Sequence, residues 1–175
     1  MNLYFRLLFL LIQRIFFFKS VDPFKPCKSK FFVNFFDLDI NFHMNNGRYL
    51  SIMDLARVDL LLKSHMFWKL VINGYYPVVV SESIRFKKSL ELFHKFEIIT
   101  VIESWDDKDF FISQKFIRTG TIYAEGYIKG RFKQRGRKAS VPTTEIFHFL
   151  GKTYTHPHLS PKALAQNSIE NQLLN

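Results

Sequence analysis

Groups able to do chemistry crowd into one stretch of the chain, Asp37-Leu38-Asp39-Ile40-Asn41-Phe42-His43-Met44-Asn45-Asn46-Gly47-Arg48-Tyr49. It holds two carboxylates, an imidazole and three carboxamides, set between a β-like run and the start of a helical pattern. A carboxylate at such a place can attack a carbonyl or take a proton from water. The unpaired N–H groups of the following helix N-terminus can hold the oxyanion that develops. Asp and Asn are equally the residues that any turn and N-cap would use. Spacing alone does not separate the two readings.

The elements around this stretch decide what it can reach. Upstream, Phe31 to Phe36 reads as a short β-run, and Asn46 to about His65 reads as a helix. On that helix Tyr49, Ile52, Met53, Ala56 and Leu60 recur at helical spacing and form one apolar face. Strand-like runs follow at Tyr76–Lys88, Phe96–Trp105, Asp109–Arg118 and Thr121–Gln134, the last two joined by the tight Thr119-Gly120 turn. In the last run Ala124, Gly126 and Gly130 share a face with Ile122, Ile128 and Phe132, which predicts close packing by a helix. One helix against an antiparallel sheet is the α+β arrangement that satisfies these signals, and it leaves sheet edges open for a second copy.

The ends differ from this middle. Residues 1–20 are rich in Leu, Ile and Phe, interrupted by Arg6, Gln13 and Arg14 on one helical face. The uninterrupted apolar run Leu7–Ile12 is far short of the ~20 residues of a spanning helix, and no signal-peptide pattern is present. An interfacial amphipathic helix and a helix packed on the domain or on a partner are the two leading readings, with a tilted span third. Residues 21–30, with Pro23 and Pro26, read as a linker, 31–138 as the main domain, and 139–175 as a C-terminal extension with a short helix or two and a loose tail.

Composition sets further bounds. The single cysteine, Cys27, excludes an internal disulfide framework, provides no zinc ribbon and fits a reducing, cytoplasmic compartment. A formal charge of +10 attracts polyanions, among them nucleic acid, anionic lipid and phosphorylated cofactors. The 21 phenylalanines can fill a core or line a channel for an apolar substrate.

The wording DLDINFHMNN resembles the active-site loop of the 4-hydroxybenzoyl-CoA thioesterase-like, THEM-type family of the hotdog superfamily. It is similar as well to the DLDVNQHVNN type of loop in plant acyl-ACP thioesterases. The blocks GRYLSIMDLARVDLLL, YYPVVVSESIRFKKSL and ESWDDKDFFISQKF resemble bacterial thioesterase-family proteins in the same order, so the resemblance runs from about Phe31 to Arg135. It implies a hotdog fold, a homodimer or tetramer, and hydrolysis of an acyl-CoA thioester with neither metal nor cofactor. By position it implies that Asp39 is the catalytic carboxylate, that Asn41 and His43 assist it, and that the Asn46 backbone N–H polarises the thioester carbonyl. Asp37 is expected to organise the turn. Acyl-ACP enzymes carry two hotdog repeats and this chain holds one, so groups from their second repeat have no counterpart here. Glu82, flanked on its strand by Val78, Val80, Ile84 and Phe86, is left outside the catalytic set.

For the substrate, Tyr49, Arg131 and Lys133 are the binding candidates, the two bases being placed for coenzyme A phosphates. A solvated strand face is the plainer reading of those bases. An apolar tunnel beside the helix would suit a fatty acyl chain. Other classes stay open: a hotdog that binds acyl-CoA without turnover, an acyl-ACP thioesterase, an enoyl-CoA hydratase of the same fold, and a single-strand nucleic-acid binder. The last leaves the Asp39 constellation unexplained and has no recognised motif, so no nucleic-acid partner is expected. Contact with a membrane through the N-terminal segment is.

Overall fold

A computed structural model describes residues 2–16, 20–151 and 159–173. Of the expected N-terminal segment, residues 1 and 17–19 lie outside the described residues, as do 152–158, 174 and 175 of the expected extension.

The alternating strands assemble into one antiparallel sheet. Its order is β1 (Cys27–Phe32), β3 (Lys95–Trp105), β4 (Asp109–Arg118), β5 (Thr121–Gln134) and β2 (Tyr75–Phe86). β4 and β5 have the bounds the sequence predicts, and β3–β4–β5 form a meander. Against one face lies α2 (Asn46–Lys63). Its predicted apolar stripe is buried: Tyr49, Ile52, Met53, Ala56 and Leu60 are each at most 2% exposed. Facing them are Phe96, Ile98, Phe116, Ala124 and Ile128 of the sheet. Each such large side chain contributes about 1.5–3 kcal/mol when taken out of water.

Of the glycines in β5, Gly126 is packed by the helix, as the sequence suggests, and Gly130 by a ring of the neighbouring strand. A Cβ at Gly126 would stand 2.2 Å from Met53 Cε, so its absence lets α2 approach the sheet. At Gly130 a Cβ would stand 2.3 Å from the Phe110 ring.

Three elements differ from the sequence reading. The first strand is Cys27–Phe32 and not Phe31–Phe36, so it occupies much of the supposed linker. Its inward residues Cys27 and Ser29 alternate with exposed Lys28 and Lys30, and a Phe-rich run beyond them drew the prediction too far downstream. The chain leaves the sheet at Asn34, which caps the 3-10 turn Phe35–Asp37. Within the remainder of 21–30 Phe24 is packed, its ring tilted against Trp105 at 4.7 Å and edge-on to Phe147 at 5.5 Å. Finally, α2 ends at Lys63, close to its expected end, but His65 then turns left-handed with φ 58° and a short helix absent from the sequence reading, α3 (Met66–Ile72), begins there.

The described residues of the extension carry two helices, as expected. α4 (Thr143–Phe149) inserts Ile146 and Phe147 into the main core. α5 (Pro161–Leu173) covers the other sheet face, where Ala163 packs with Phe111 and Tyr127, and Tyr127 Oη lies 2.9 Å from Ser160 Oγ. At the other end α1 (Asn2–Phe16) packs on α2. Its Leu10 is buried, whereas Tyr4, Phe5, Leu8, Phe9 and Ile12 face outward.

Candidate active site

The polar stretch forms a closed turn. Asp39 N–H donates to His43 O at 2.8 Å and Phe42 N–H donates to Asp39 O at 3.1 Å. Phe42 sits at φ 59°, a left-handed conformation that costs a non-glycine residue energy and that the turn hydrogen bonds must offset. Inside the turn, Asp39 Oδ1 accepts the N–H of Asn41 at 2.9 Å and that of His43 at 3.3 Å. Asp39 Oδ2 has no partner among the described residues. Asn41 and His43 thus orient the carboxylate through their backbone, while their side chains make no hydrogen bond among the described residues.

Beside the turn begins α2. Asn45 caps it, its Oδ1 accepting the Gly47 N–H at 2.9 Å and its carbonyl accepting the Arg48 N–H at 2.8 Å. The Asn46 N–H has no partner among the described residues. It carries the partial positive charge of an 18-residue helix, the charge an oxyanion needs. The turn is tied to this helix end because Asn45 N–H donates to Asp37 O at 2.8 Å.

Asp37 itself is buried, at 1% exposed. Its Oδ2 accepts the Asn34 N–H at 3.0 Å and Arg6 Nη2 at 2.5 Å. It organises the turn from behind, as the sequence suggests.

Farther along α2, an apolar cavity of about 320 Å³ opens between α2, α3, β2 and the sheet. Val58 and Leu61 of α2, Leu70 of α3, Val78 of β2, and Ile112 and Ile128 of the sheet line it. The volume is within the usual range for small-molecule pockets. At its polar edge Arg57 Nη1 donates to Glu82 Oε1 at 2.9 Å and to Gln114 Oε1 at 3.0 Å, while Nη2 donates to Asp54 Oδ1 at 2.7 Å. Glu82 is accordingly an ion-pair partner of Arg57.

A profile of the thioesterase-like superfamily matches residues 33–150, from the end of β1 through α4. The chain belongs to that superfamily. Protein THEM6 of Xenopus laevis is 42% identical over 95 residues, covering 54% of this chain and 46% of that protein. THEM6 of Danio rerio is 38% identical over 116 residues, covering 66% of this chain and 55% of that one. The chain spans about half the length of the curated relatives it matches. Among solved structures, the probable thioesterase YbaW of Escherichia coli superposes with a TM-score of 0.66 at 23% identity, covering 70% of this chain and 95% of that chain. The fold is therefore the hotdog, an α+β antiparallel sheet packed on a long helix.

Within this thioesterase-like domain the expected site residues fall into two groups. Asp39, Asn41, His43 and Asn46 come together at one turn and helix end. Tyr49 does not join them. It is 2% exposed, its hydroxyl accepts the Leu90 N–H at 3.2 Å, and its ring meets Phe86 and Phe116, each at 5.0 Å. Burial pushes that phenol above its ordinary pKa, partly offset by the Leu90 hydrogen bond. Tyr49 is a core residue, with no face presented to a ligand. Arg131 is also committed internally: its Nε and Nη2 donate to the two oxygens of Asp109 at 2.5 and 2.9 Å. Lys133 Nζ donates to Lys138 O at 3.3 Å. The reading of the sequence missed the pairing of Arg6 with Asp37 and of Arg57 with Glu82 and Gln114, which only the fold brings together.

Proposed function

We propose that the chain is an acyl-CoA thioesterase that hydrolyses a fatty acyl thioester to the free acid and coenzyme A. The observation that carries this reading is Asp39, with one oxygen held by two backbone N–H groups and the other without a partner among the described residues, in the turn that leads into the Asn46 end of α2. A thioester carbonyl at this helix end would place its oxygen on the Asn46 N–H. Asp39 Oδ2 then either takes a proton from the attacking water or attacks the carbonyl itself, forming an anhydride that water opens. Either way the hydroxyl of water ends on the acyl carbon, the C–S bond breaks, and the thiolate leaves as CoA thiol with the remaining proton. His43 and Asn41 hold the carboxylate in place.

The apolar cavity supports an acyl substrate. Filled at roughly the 30 Å³ that a water molecule occupies per methylene, it has room for about ten carbons. Lys133 is the base we assign to the coenzyme phosphates, since Arg131 is held by Asp109. Two copies would join across β2, whose outer edge has no neighbour in the sheet order. The outward row of α1 supports peripheral contact with a membrane, and no helix among the described residues is long and apolar enough to cross one.

The test is thiol release from acyl-CoAs of two to sixteen carbons. Turnover that peaks at medium chain length supports the proposal. Tight binding of the same panel without thiol release replaces it with an acyl-CoA-binding role.

A further inference from the structure

Arg6 points the wrong way for a surface helix. On α1 the aromatic and aliphatic residues Tyr4, Phe5, Leu8 and Phe9 are exposed, while the Arg6 side chain is turned inward and is 13% exposed. Its Nη2 donates to Asp37 Oδ2 at 2.5 Å and to Phe32 O at 3.0 Å, and its guanidinium lies 5.8 Å from the centre of the Phe32 ring. The carboxylate it meets is among the most enclosed charges in the protein.

That carboxylate is a junction. Asp37 Oδ2 takes the Asn34 N–H and so closes the 3-10 turn, and Oδ1 faces Arg48 Nε of α2 at 3.8 Å. Through its carbonyl, Asp37 receives the N–H of Asn45, the residue that caps α2. Asp39 follows two residues later in the same turn. A movement of Asp37 therefore shifts both the carboxylate at 39 and the helix end at 46. A buried carboxylate that loses its closest cation is driven toward water, and here that motion would pull the turn open.

We infer that Arg6 is a positioning residue: α1 holds the candidate catalytic turn in register with α2 through the Arg6–Asp37 ion pair. The inference rests on the thioesterase reading for its kinetic consequence, but not for its structural one. α1 is then a working part of the site, and whatever displaces α1 slows the chemistry without touching the acyl pocket.

The experiment uses the full chain and its variants Arg6→Met, Arg6→Lys, Asp37→Asn, the double variant R6M/D37N, and Asp39→Asn. Each is assayed with decanoyl-CoA, and its amide hydrogen exchange is followed over residues 37–47 and over β3–β5. The expected result for R6M is a kcat at least tenfold lower with KM within twofold of wild type, and faster exchange in 37–47 alone. R6K recovers part of the loss. In the D37N background, where no buried charge needs an ion partner, R6M has a smaller effect on both readouts. An unchanged kcat and unchanged exchange in R6M, with D39N inactive, overturns the inference and leaves the thioesterase reading standing. Full turnover in D39N removes Asp39 from the mechanism while hydrolysis stands; no thiol release from wild type removes the thioesterase reading, and exchange alone then decides the role of Arg6. Exchange that rises equally in β3–β5 makes Arg6 merely structural and also overturns it. Should R6M fail to fold, R6K and the double variant carry the same comparison.

Discussion

Replacing Val58 by Phe probes whether the apolar cavity receives the acyl chain. Val58 is half-buried on α2 and lines the cavity, just over three turns beyond the Asn46 end of the helix. The new ring occupies the space of about two methylenes. Each methylene expelled from an apolar site forgoes about 0.8 kcal/mol, so a chain that fills the pocket loses about 1.6 kcal/mol. That is roughly a 15-fold fall in kcat/KM. A chain too short to reach Val58 loses nothing, so the optimum moves to shorter acyl groups by about two carbons. The assay is kcat/KM by thiol release for each even-numbered acyl-CoA, with melting temperature as the control for folding. A uniform loss at all chain lengths, or an unmoved profile in a folded variant, refutes the assignment of this cavity to the acyl group.

Other perturbations test the frame that holds the site. Tyr49→Phe strands the buried Leu90 N–H and is expected to cost about 1–3 kcal/mol, a Tm fall of roughly 3–10 °C by calorimetry. Because burial raises the Tyr49 pKa in the folded state, wild type keeps this phenol's contribution below the ordinary value near 10 and loses it as pH rises through the higher folded value. The alkaline fall in Tm should accordingly be shallower in Y49F. Asn45→Ala removes the cap on Gly47 N–H and should lower stability by about 1 kcal/mol, read as a urea midpoint shift at constant slope. Asp59, fully buried, accepts Ser29 Oγ–H at 2.6 Å and lies 2.7 Å from Lys63 Nζ. Asp59→Ala should cost about 3–5 kcal/mol in chemical denaturation, and the double variant D59A/K63M should recover part of it.

What the sequence shows follows from how local the physics is. The apolar stripe of α2 and the alternation in β4 and β5 are periodic signals inside single elements, and their bounds are nearly those observed. The Asp39 turn is local too, with donors two and four residues away, so its closure could be anticipated. Other features depend on contacts between distant parts of the chain. Arg6 lies 31 residues from Asp37, and on a helix of aliphatic residues it reads as a solvent-facing base. Arg57 meets Gln114 across 57 residues. Tyr49 shows why type and spacing mislead near a site: its hydroxyl looks like a ligand group, yet its place on the apolar stripe sends it into the core. Arg131 is likewise taken by Asp109, a cross-strand pairing that follows only from the β4–β5 register.

The central claim is that Asp39 is the carboxylate that carries thioester hydrolysis, and Asp39→Asn tests it most directly. Asparagine keeps an oxygen to accept the N–H groups of Asn41 and His43, so the turn survives while the charge is lost. Single-turnover and steady-state thiol release should show kcat lower by roughly 10²–10⁴-fold with an unchanged Tm. A folded D39N variant that hydrolyses acyl-CoA at the wild-type rate would contradict the account.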